Sequence, residues 1–361
     1  MVFLFILPKS LIQHHLKKMS NILDPLKTSS YDYSLPKELI ATHPIQPADE
    51  AKLLVYDRIK NTITHTTFKH LLDFLPPTLN ILLNDTKVIK ARIFGQKLSG
   101  GKVELLFNKP LQNNEFLCLI GGKVKVGTHL QFENNLEATV LKLNDDGTRE
   151  VKFYQHNQEL DFLALIEILN NIGHLPLPPY MNRSDEKSDE INYQTLFAKN
   201  YGAVAAPTAS LHFTPCLFEE LKAKHTLEYL TLHVGAGTFK PVDAQEILNH
   251  PMHSEFYEVS SNAKKLIKSS KPLLAVGTTV TRTIEYFVRT NKEQGECDLF
   301  LNPLNKPLRV NHLLTNFHLP KSTLIMLIAS FIGVEKTLEL YNIAIKNNYR
   351  FYSYGDGMLI L

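Results

Sequence analysis

The sequence has few cysteines and little excess charge. Its three cysteines, Cys118, Cys216 and Cys297, lie far apart and form no Cys-x-x-Cys pair, which argues against a disulfide framework or a zinc knuckle. Lys and Arg number 39 against 36 Asp and Glu, so the chain lacks the global positive field of a non-specific nucleic-acid binder. Any contact with RNA must therefore come from a local patch. The low cysteine content favours a reducing, cytoplasmic compartment.

Long apolar segments are also missing. The apolar run at the N-terminus is broken by Pro8, and its positive charges follow it, which is the reverse of their order in a secretory signal. The run is also far too short to span a membrane. We therefore expect residues 1–29 to form a poorly ordered extension without a membrane role, with Met19 as an alternative start. Removal of residues 1–18 is expected to leave activity intact.

Several catalytic motifs are absent. Gly235 and Gly237 lack a third glycine at Lys240, so this stretch is not a dinucleotide fingerprint. The chain contains neither GxxxxGK[ST] nor GxSxG, which argues against P-loop phosphoryl transfer and serine hydrolysis.

The patterning predicts two domains in 361 residues. Between residues 80 and 153, short β-rich runs are separated by Gly and Asn turns, which predicts a small antiparallel β-barrel. Residues 30–79 and 154–361 alternate apolar strands with helices, which predicts a main α/β domain with a mostly parallel sheet. The barrel is thus expected as an insertion into a discontinuous main domain.

Helix start signals support this alternation. Thr214 precedes Pro215, Asp243 and Glu246 form a capping-box-like pair, and Asn262 precedes an AKKLIK run. The strand candidates between these helices are LEYLTLHV, PLLAVG and LLTNF.

Polar, glycine-containing segments follow the predicted strands. They are His233 to Phe239, Gly277-Thr278-Thr279, and Asn316-Phe317-His318. Ligands of open α/β sheets bind at the carboxyl ends of strands, so we expect these three segments to form the walls of one pocket. Any one Gly-Thr turn is also explained by an ordinary β-to-α connection, which itself needs residues with positive φ.

The Gly277 turn leads into VTRTIEYFV. The first amides of such a helix are free donors at the positive end of the helix dipole, which favours a cradle for a carboxylate or hydroxyl. Arg282, one turn further on, is a candidate bidentate clamp. Arg282 is equally able to pair with Glu285, and the sequence leaves both alternatives open.

Histidines raise the question of a metal site. His250, His253 and Glu255 lie close together, and His212, His233 and His318 are further candidate ligands. A proline falls between His250 and His253, so they do not form the helical HExxH arrangement. We expect these histidines to act as acids, bases or buried polar groups, and we expect no metal ion.

A basic strip runs from Thr86 to Val103 without an acidic residue before Glu104. Its cations are Lys87, Lys90, Arg92, Lys97 and Lys102. At the edge of a barrel they are a reasonable footprint for an RNA backbone. The alternative is a solvated face of strands and turns.

Nine segments, taken in order, resemble the tRNA ribosyltransferase-isomerase family of queuosine biosynthesis. They are NDTKVIKAR, GGKVELL, IGHLPLPPY, YGAVAAPTASLHF, TLHVGAGTFKPV, HSEFYEV, AVGTTVTR, LLTNFHLPKSTLIML and YSYGDGMLI. The resemblance covers nearly the whole chain from about Tyr31 onward, and GAVAAPTA, LHVGAGTF and TNFHLP are long and specific.

This resemblance implies a reaction. The ribosyl part of S-adenosylmethionine is transferred to the aminomethyl group of a 7-deazaguanine at the tRNA wobble position and rearranges to an epoxycyclopentanediol, while adenine and methionine leave. S-adenosylmethionine is then a co-substrate, with no bound cofactor, and the partner is the anticodon loop of tRNA. The resemblance also implies an α/β domain with an inserted barrel, and we expect a monomer.

Roles follow for particular residues. A base must remove the C5′ proton that the sulfonium acidifies, and departing adenine needs a proton donor; His233 and His318 are the candidates, in either order. Glu255 or Asp356, with aromatic faces, are candidates to stabilise the sulfonium. The donor-binding candidates are Gly235, Gly237, Thr238, Phe239, Gly277, Thr278, Thr279, Arg282 and Phe317. The tRNA-binding candidates are Lys87, Arg92, Lys97, Lys102, Tyr180 and Arg183.

One stretch departs from the family pattern. Pro303 is followed by Leu304 and Asn305, where a Pro-Gly-aromatic turn is usual, and Asn311 stands in the place of an aspartate. We therefore assign no role to that position. Two other functions remain open on sequence alone: a metal-dependent hydrolase of nucleotides or RNA, which metal analysis would identify, and a non-catalytic RNA-binding protein, which would need no pocket for a small donor.

Overall fold

The computed structural model describes residues 23–235, 237 and 242–361. Its strands are β1 (Lys52–Asp57), β2 (Thr62–Thr67), β3 (Asn80–Asn84), β4 (Thr86–Val88), β5 (Arg92–Lys97), β6 (Lys102–Pro110), β7 (Phe116–Gly121), β8 (His129–Phe132), β9 (Leu136–Leu143), β10 (Arg149–Gln155), β11 (Gln158–Glu159), β12 (Asn200–Ala203), β13 (Thr226–Leu232), β14 (Glu255–Val259), β15 (Leu273–Val276), β16 (Gln294–Cys297), β17 (His312–Asn316) and β18 (Gly357–Ile360). Its α-helices are α1 (Phe162–Ile172), α2 (Asp189–Asn192), α3 (Pro215–Lys224), α4 (Ser261–Lys268), α5 (Thr278–Thr290), α6 (Thr323–Ile332) and α7 (Val334–Lys346).

A nine-stranded sheet forms the main domain, in the order β16-β14-β13-β3-β15-β17-β18-β1-β2. Its central strands β13, β3, β15 and β17 are all parallel. Strands β14, β18 and β1 run in the opposite direction. Every residue of β3 and β15 is buried, as expected for parallel strands covered on both faces. The predicted α/β class with a mostly parallel sheet is confirmed.

The second domain is a closed antiparallel barrel. Strands β5 to β10 form it, and the pairing of β9 with β10 closes the ring. On β6, Val103, Leu105 and Phe107 point into the barrel core and alternate with more exposed residues. Closure pairs the edge strands, which an open sheet would leave free to associate. The predicted inserted barrel is confirmed.

The strand boundaries place the start of the barrel later than residue 80. Strand β3 lies at the centre of the large sheet, and β4 pairs with β12 in a separate two-stranded ribbon. The first barrel strand is β5, which begins at Arg92. The chain thus leaves the sheet after Asn84 and enters the barrel through the ribbon.

The observed helix N-termini agree only in part with those predicted from capping residues in the sequence. The Thr214 side chain caps α3, as predicted. Helix α4 is capped by Ser260, whose hydroxyl accepts from Ala263 N at 3.1 Å, so Asn262 as its start was wrong. No α-helix follows Asp243, because the backbone there bonds to the N-terminal segment: Ile247 N donates to Leu26 O at 2.9 Å. Only a 3₁₀ turn, Ile247–Asn249, forms after this pair.

The N-terminal extension falls partly outside the described residues, which begin at residue 23. From there the chain is packed: Thr28 is buried, its amide donates to Gln245 O at 2.9 Å, and Tyr31 lies in the core beside α6 and α7. In the described part of the chain, no helix is long and apolar enough to cross a bilayer.

Candidate active site

A cleft opens at the carboxyl ends of β15 and β17; we call it the strand-end cleft. Its walls are Tyr180, Ala205–Ala209, Val234, Gly277–Thr279, Thr315–Leu319, Ser322, Leu324, Tyr352 and Ser353. The segments after β13, β15 and β17 all contribute to it.

The N-terminus of α5 forms one wall of this cleft. Gly277 precedes the helix with a φ of 99°, a conformation that favours glycine. No side chain caps the helix, so the amides of its first turn have no partner within the helix and form its positive dipole end. Thr278 and Thr279 line the cleft at this point. The wall is therefore suited to an anionic or hydroxyl group of a ligand.

A chain of hydrogen bonds fixes another wall. The Thr208 hydroxyl donates to Asn316 Oδ1 at 2.8 Å, and Asn316 Nδ2 lies 3.3 Å from His212 Nε2. Burial lowers the pKa of His212 to about 3, so its neutral ring accepts the amide hydrogen. The His212 ring also stacks on Phe68 at 4.2 Å. Our sequence reasoning did not assign Thr208 to the site, although a polar residue inside the apolar AVAAPTA segment was a usable signal.

His318 lies in the strand-end cleft but is buried. Its Nε2 is 2.8 Å from Thr315 Oγ1, and its backbone amide donates to the Tyr341 hydroxyl at 3.0 Å. Burial lowers its pKa to about 3, so the ring is neutral at pH 7. The neighbouring Phe317 side chain packs into the aromatic core against Tyr341.

A second cleft separates the barrel from the large sheet; we call it the barrel–sheet cleft. It is lined from the barrel by β6, β7 and the turn before β10, and from the sheet side by Tyr201, Gly202, His233, Gly235, Gly237 and Pro251–Phe256. His233 lies here and not with His318. Val234 lines the strand-end cleft, whereas His233 and Gly235 line the barrel–sheet cleft, because successive residues of an extended segment point to opposite sides.

His233 is held by its neighbours. Its Nδ1 lies 2.7 Å from Thr86 Oγ1, and its ring is nearly parallel to that of Phe256 at 5.7 Å. A Cβ on Gly202, which has a φ of 151°, would lie 2.7 Å from His233 Nε2. Glycine is therefore required beside this ring. Burial lowers the pKa of His233 to about 4.

Arg282 and Glu255 form a buried ion pair. Glu255 is 4% exposed and Arg282 7%, and Nη1 of the arginine binds Oε2 of the glutamate. Glu255 Oε1 accepts from Gly235 N at 3.1 Å, while Arg282 also donates to Cys297 O at 3.1 Å. Arg282 is therefore drawn toward β14 and does not line the strand-end cleft. Glu285, its alternative partner, binds Arg289 instead.

Two further candidates are committed to the fold. Asp356 accepts from Lys52 N at 3.0 Å and from Arg350 N at 2.7 Å; it lines neither cleft, and burial raises its pKa. Arg183 forms a bidentate pair with buried Asp189 at 2.7 and 2.8 Å. Arg350 Nη2 also lies 3.6 Å from Asp356 Oδ1, so each of these two charged candidates already has a partner of opposite charge.

The remaining candidates lie in different places. Tyr180 lines the strand-end cleft, with its ring 4.4 Å from Tyr352. Gly237 lines the barrel–sheet cleft. Thr238 and Phe239 lie outside the described residues.

The basic strip is partly paired. Arg92 Nε lies 2.7 Å from Glu104, and Lys90 lies 2.9 Å from Glu190. Lys97 binds the carbonyl of Lys123, and Lys102 is exposed. Lys87 Nζ lies 4.5 Å from the centre of the Tyr201 ring, which connects the strip to the barrel–sheet cleft.

The suggested metal cluster is not assembled in the described part of the chain. His250 and His253 place their ring centres 6.4 Å apart with perpendicular planes. No group of three or more His, Cys, Asp or Glu residues within residues 23–235, 237 and 242–361 is placed to hold a metal ion.

The buried histidines predict that acid destabilises the protein. Folded His212 and His318 have pKa values of about 3, against about 6.5 when unfolded. Below about pH 6.5 the unfolded chain therefore takes up protons that the folded chain refuses, so stability falls toward pH 3 by about 1.4 kcal/mol per pH unit for each histidine. Burial raises the pKa of Asp356, which works against this trend. Urea unfolding midpoints at pH 7.5 and pH 5 measure the effect.

Two histidine variants, one at a buried and one at an exposed position, test this prediction. His212→Gln is expected to reduce the pH dependence of the free energy of unfolding, because it removes one group that must stay neutral. His129→Gln, at an exposed position, is expected to leave it unchanged. Equal slopes in both variants would contradict the prediction.

Comparisons with known proteins agree along most of the chain. The sequence model of the family described as "Queuosine biosynthesis protein" matches residues 28–360. The S-adenosylmethionine:tRNA ribosyltransferase-isomerase of Aliarcobacter butzleri is 70% identical over 340 residues, which are 94% of this chain and 100% of that relative. The protein of the same name from a Nitratiruptor species is 62% identical, with the same coverage. The crystal structure of S-adenosylmethionine tRNA ribosyltransferase from Thermotoga maritima is 34% identical, covers 92% of this chain and 100% of its own, and has a TM-score of 0.51.

Proposed function

The chain belongs to the queuosine biosynthesis protein family, and we propose that it transfers and isomerises the ribosyl part of S-adenosylmethionine onto the aminomethyl group of 7-aminomethyl-7-deazaguanine at the wobble position of tRNA. Adenine and methionine leave, and the product is epoxyqueuosine in tRNA. Its relatives are named as ribosyltransferase-isomerases, so the chain is an enzyme of the transferase class.

The strand-end cleft is the observation that supports this proposal. The donor carries a carboxylate, a sulfonium and an adenine. The uncapped start of α5 at Thr278 and Thr279 suits the carboxylate. Tyr180 and Tyr352 line the same cleft, and their aromatic faces suit the sulfonium or the adenine ring. In this arrangement the helix amides take the place that the sequence suggested for Arg282.

Proton transfer in this cleft falls to His318. It lines the cleft and is the candidate base for the C5′ proton of the donor, which the adjacent sulfonium acidifies. The Thr315 hydroxyl at Nε2 orients the ring. His233, which faces the adjoining barrel–sheet cleft, is the second candidate acid or base, and the two histidines share the two proton transfers.

The test is release of adenine. Purified protein is incubated with S-adenosylmethionine and tRNA carrying the aminomethyl-deazaguanine, and tRNA with guanine at the wobble position is the control. We expect one adenine and one methionine for each RNA that gains the epoxycyclopentanediol mass, and none with the control RNA. Formation of S-adenosylhomocysteine without adenine would indicate methyl transfer and contradict the proposal.

The basic strip is expected to contribute to tRNA binding. Changing Lys87, Arg92 and Lys97 together to glutamine should raise KM for tRNA and leave KM for S-adenosylmethionine nearly unchanged. Each lost phosphate contact should lower the slope of log affinity against log salt by roughly one. Kinetics at several salt concentrations measure this.

A matched control uses other barrel lysines. Lys142 and Lys152 lie on β9 and β10 and pair with Glu150 and Glu159 at 2.9 Å each. Their glutamine variants should leave KM and the salt slope as in the wild type. If the strip variant also keeps the wild-type salt slope, the strip is only a solvated face.

A further inference from the structure

We propose that the barrel–sheet cleft holds the acceptor nucleoside, an RNA base that bears a primary amine and is turned out of its stack, with Phe256 as its stacking face and Glu296 as the partner of its ammonium group. This inference rests on the proposed function and deepens it, because it separates the acceptor site from the donor site.

The two clefts meet at one segment. Val234 lines the strand-end cleft and Gly235 lines the barrel–sheet cleft, so ligands in the two clefts approach each other across this backbone. Gly235 has no side chain, and a Cβ there would lie 3.4 Å from Asn108 Oδ1 of the barrel. Reacting atoms must come to about 3–3.5 Å, and a glycine at the junction keeps the separation between the two ligands small.

Phe256 supplies the aromatic face. Residues of β14 alternate, so that Glu255 and Tyr257 are buried while Phe256 is 36% exposed and lines the cleft. The His233 ring lies nearly parallel to it. Enzymes that act on a base in RNA commonly extrude it and stack it on aromatic side chains. An exposed phenylalanine inside a cleft fits that use.

Charged groups around Phe256 match the other parts of the acceptor. Glu296 lies directly opposite Phe256 in the β14–β16 register and pairs with Lys109 at 3.1 Å. Both side chains remain partly exposed, at 45% and 30%, so the carboxylate has room to bind an incoming ammonium while Lys109 turns to a phosphate. Lys87 lies over the Tyr201 ring at the side of the same cleft and belongs to the basic strip. The strip thus leads an RNA backbone to the cleft.

The test measures RNA binding separately from chemistry. The probes are two anticodon stem-loop RNAs, one with aminomethyl-deazaguanine and one with guanine at the wobble position, titrated against the protein without S-adenosylmethionine. Phe256→Ala should weaken binding of both RNAs by about fivefold to a hundredfold, the usual effect of losing one stacked base. Glu296→Gln should remove the preference for the amine-bearing RNA. Both should leave KM for S-adenosylmethionine within about twofold of the wild type, because neither side chain lines the strand-end cleft that holds the donor.

Matched controls lie outside the cleft. Glu293 pairs with Lys264 on the surface as Glu296 pairs with Lys109, and Phe331 is a partly exposed aromatic beside Arg58. Glu293→Gln and Phe331→Ala should bind both RNAs as the wild type does. Glu296 is half exposed, so Glu296→Gln is expected to fold normally. It therefore still tests the proposal if Phe256→Ala is destabilised.

The outcomes distinguish this inference from the proposed function. Suppose that the wild type releases adenine and that Phe256→Ala and Glu296→Gln both bind the two RNAs as the wild type does. The barrel–sheet cleft would then be only a gap between two domains. Absence of adenine release from the wild type would overturn the proposed function, whereas the binding data would still decide the use of the cleft.

Discussion

A His233→Ala variant is expected to lose turnover by about a hundredfold or more, the usual scale for a missing acid or base, and to melt close to the wild type. His233 is only partly buried and faces the barrel–sheet cleft. The Thr86 hydroxyl keeps a second acceptor in Asn200 O at 3.5 Å when the ring is removed, so loss of His233 costs less stability than loss of the buried His318. The Thr86 hydroxyl is hydrogen-bonded to Nδ1 of His233, so Nε2 is the ring nitrogen that faces a ligand. Adenine release and thermal unfolding, measured on the same preparation, give both quantities.

Two further variants test whether orientation of this ring matters. Thr86→Val removes the hydrogen bond at Nδ1, and Gly202→Ala places a Cβ within 2.7 Å of the ring. Both should lower kcat in the same direction as His233→Ala but by less. A His233→Ala variant that melts early and yet turns over normally when folded would make this histidine part of the scaffold.

His318→Ala is expected to behave differently. His318 is buried and its Nε2 is bonded to Thr315. Its removal leaves that hydroxyl without a partner, which costs about 1–3 kcal/mol. We therefore expect loss of both turnover and stability, and His233→Ala is the cleaner test of catalysis.

A Glu255→Ala variant is expected to lose about 3–5 kcal/mol of stability, because it leaves the buried Arg282 guanidinium without its counter-charge. This is a large part of the total free energy of unfolding of a typical domain. Glu255 also accepts from Gly235 N, so the junction of the two clefts should loosen with it. Urea unfolding of wild type and variant measures the loss.

A double variant separates positioning from catalysis. Glu255→Gln with Arg282→Met removes both charges and should recover much of the stability, because no buried charge is left unpaired. If Glu255→Ala keeps wild-type stability and raises only KM for S-adenosylmethionine, the carboxylate contacts the donor, as the sequence first suggested. If Glu255→Ala instead lowers both kcat and the free energy of unfolding, Glu255 has a positioning role.

Much of the architecture is readable from the sequence. Strands β13, β15 and β17 overlap LEYLTLHV, PLLAVG and LLTNF, because short, mainly apolar runs of this length suit parallel strands of a covered sheet. The even spacing of short alternating runs identified the barrel for a similar reason. The polar strand ends at Gly277 and Asn316 were recognisable because ligand sites of open α/β sheets lie at carboxyl ends.

Local signals failed where a distant segment supplied the partner. The capping pattern at Asp243 did not start a helix, since residues 245 and 247 bond to the N-terminal segment. Strand β3 precedes the barrel in sequence but lies between β13 and β15. Neither pairing is visible within a short window of sequence.

The sequence by itself determined the family, the α/β class, the inserted barrel and which strand ends carry polar residues, because these depend on local periodicity and on motifs. The tertiary structure alone decided how those residues are grouped. Arg282 turns to Glu255 on β14 and away from the strand-end cleft. His233 and His318 lie in different clefts, because the pleat directs His233 and Val234 to opposite sides and the barrel closes over only one of them.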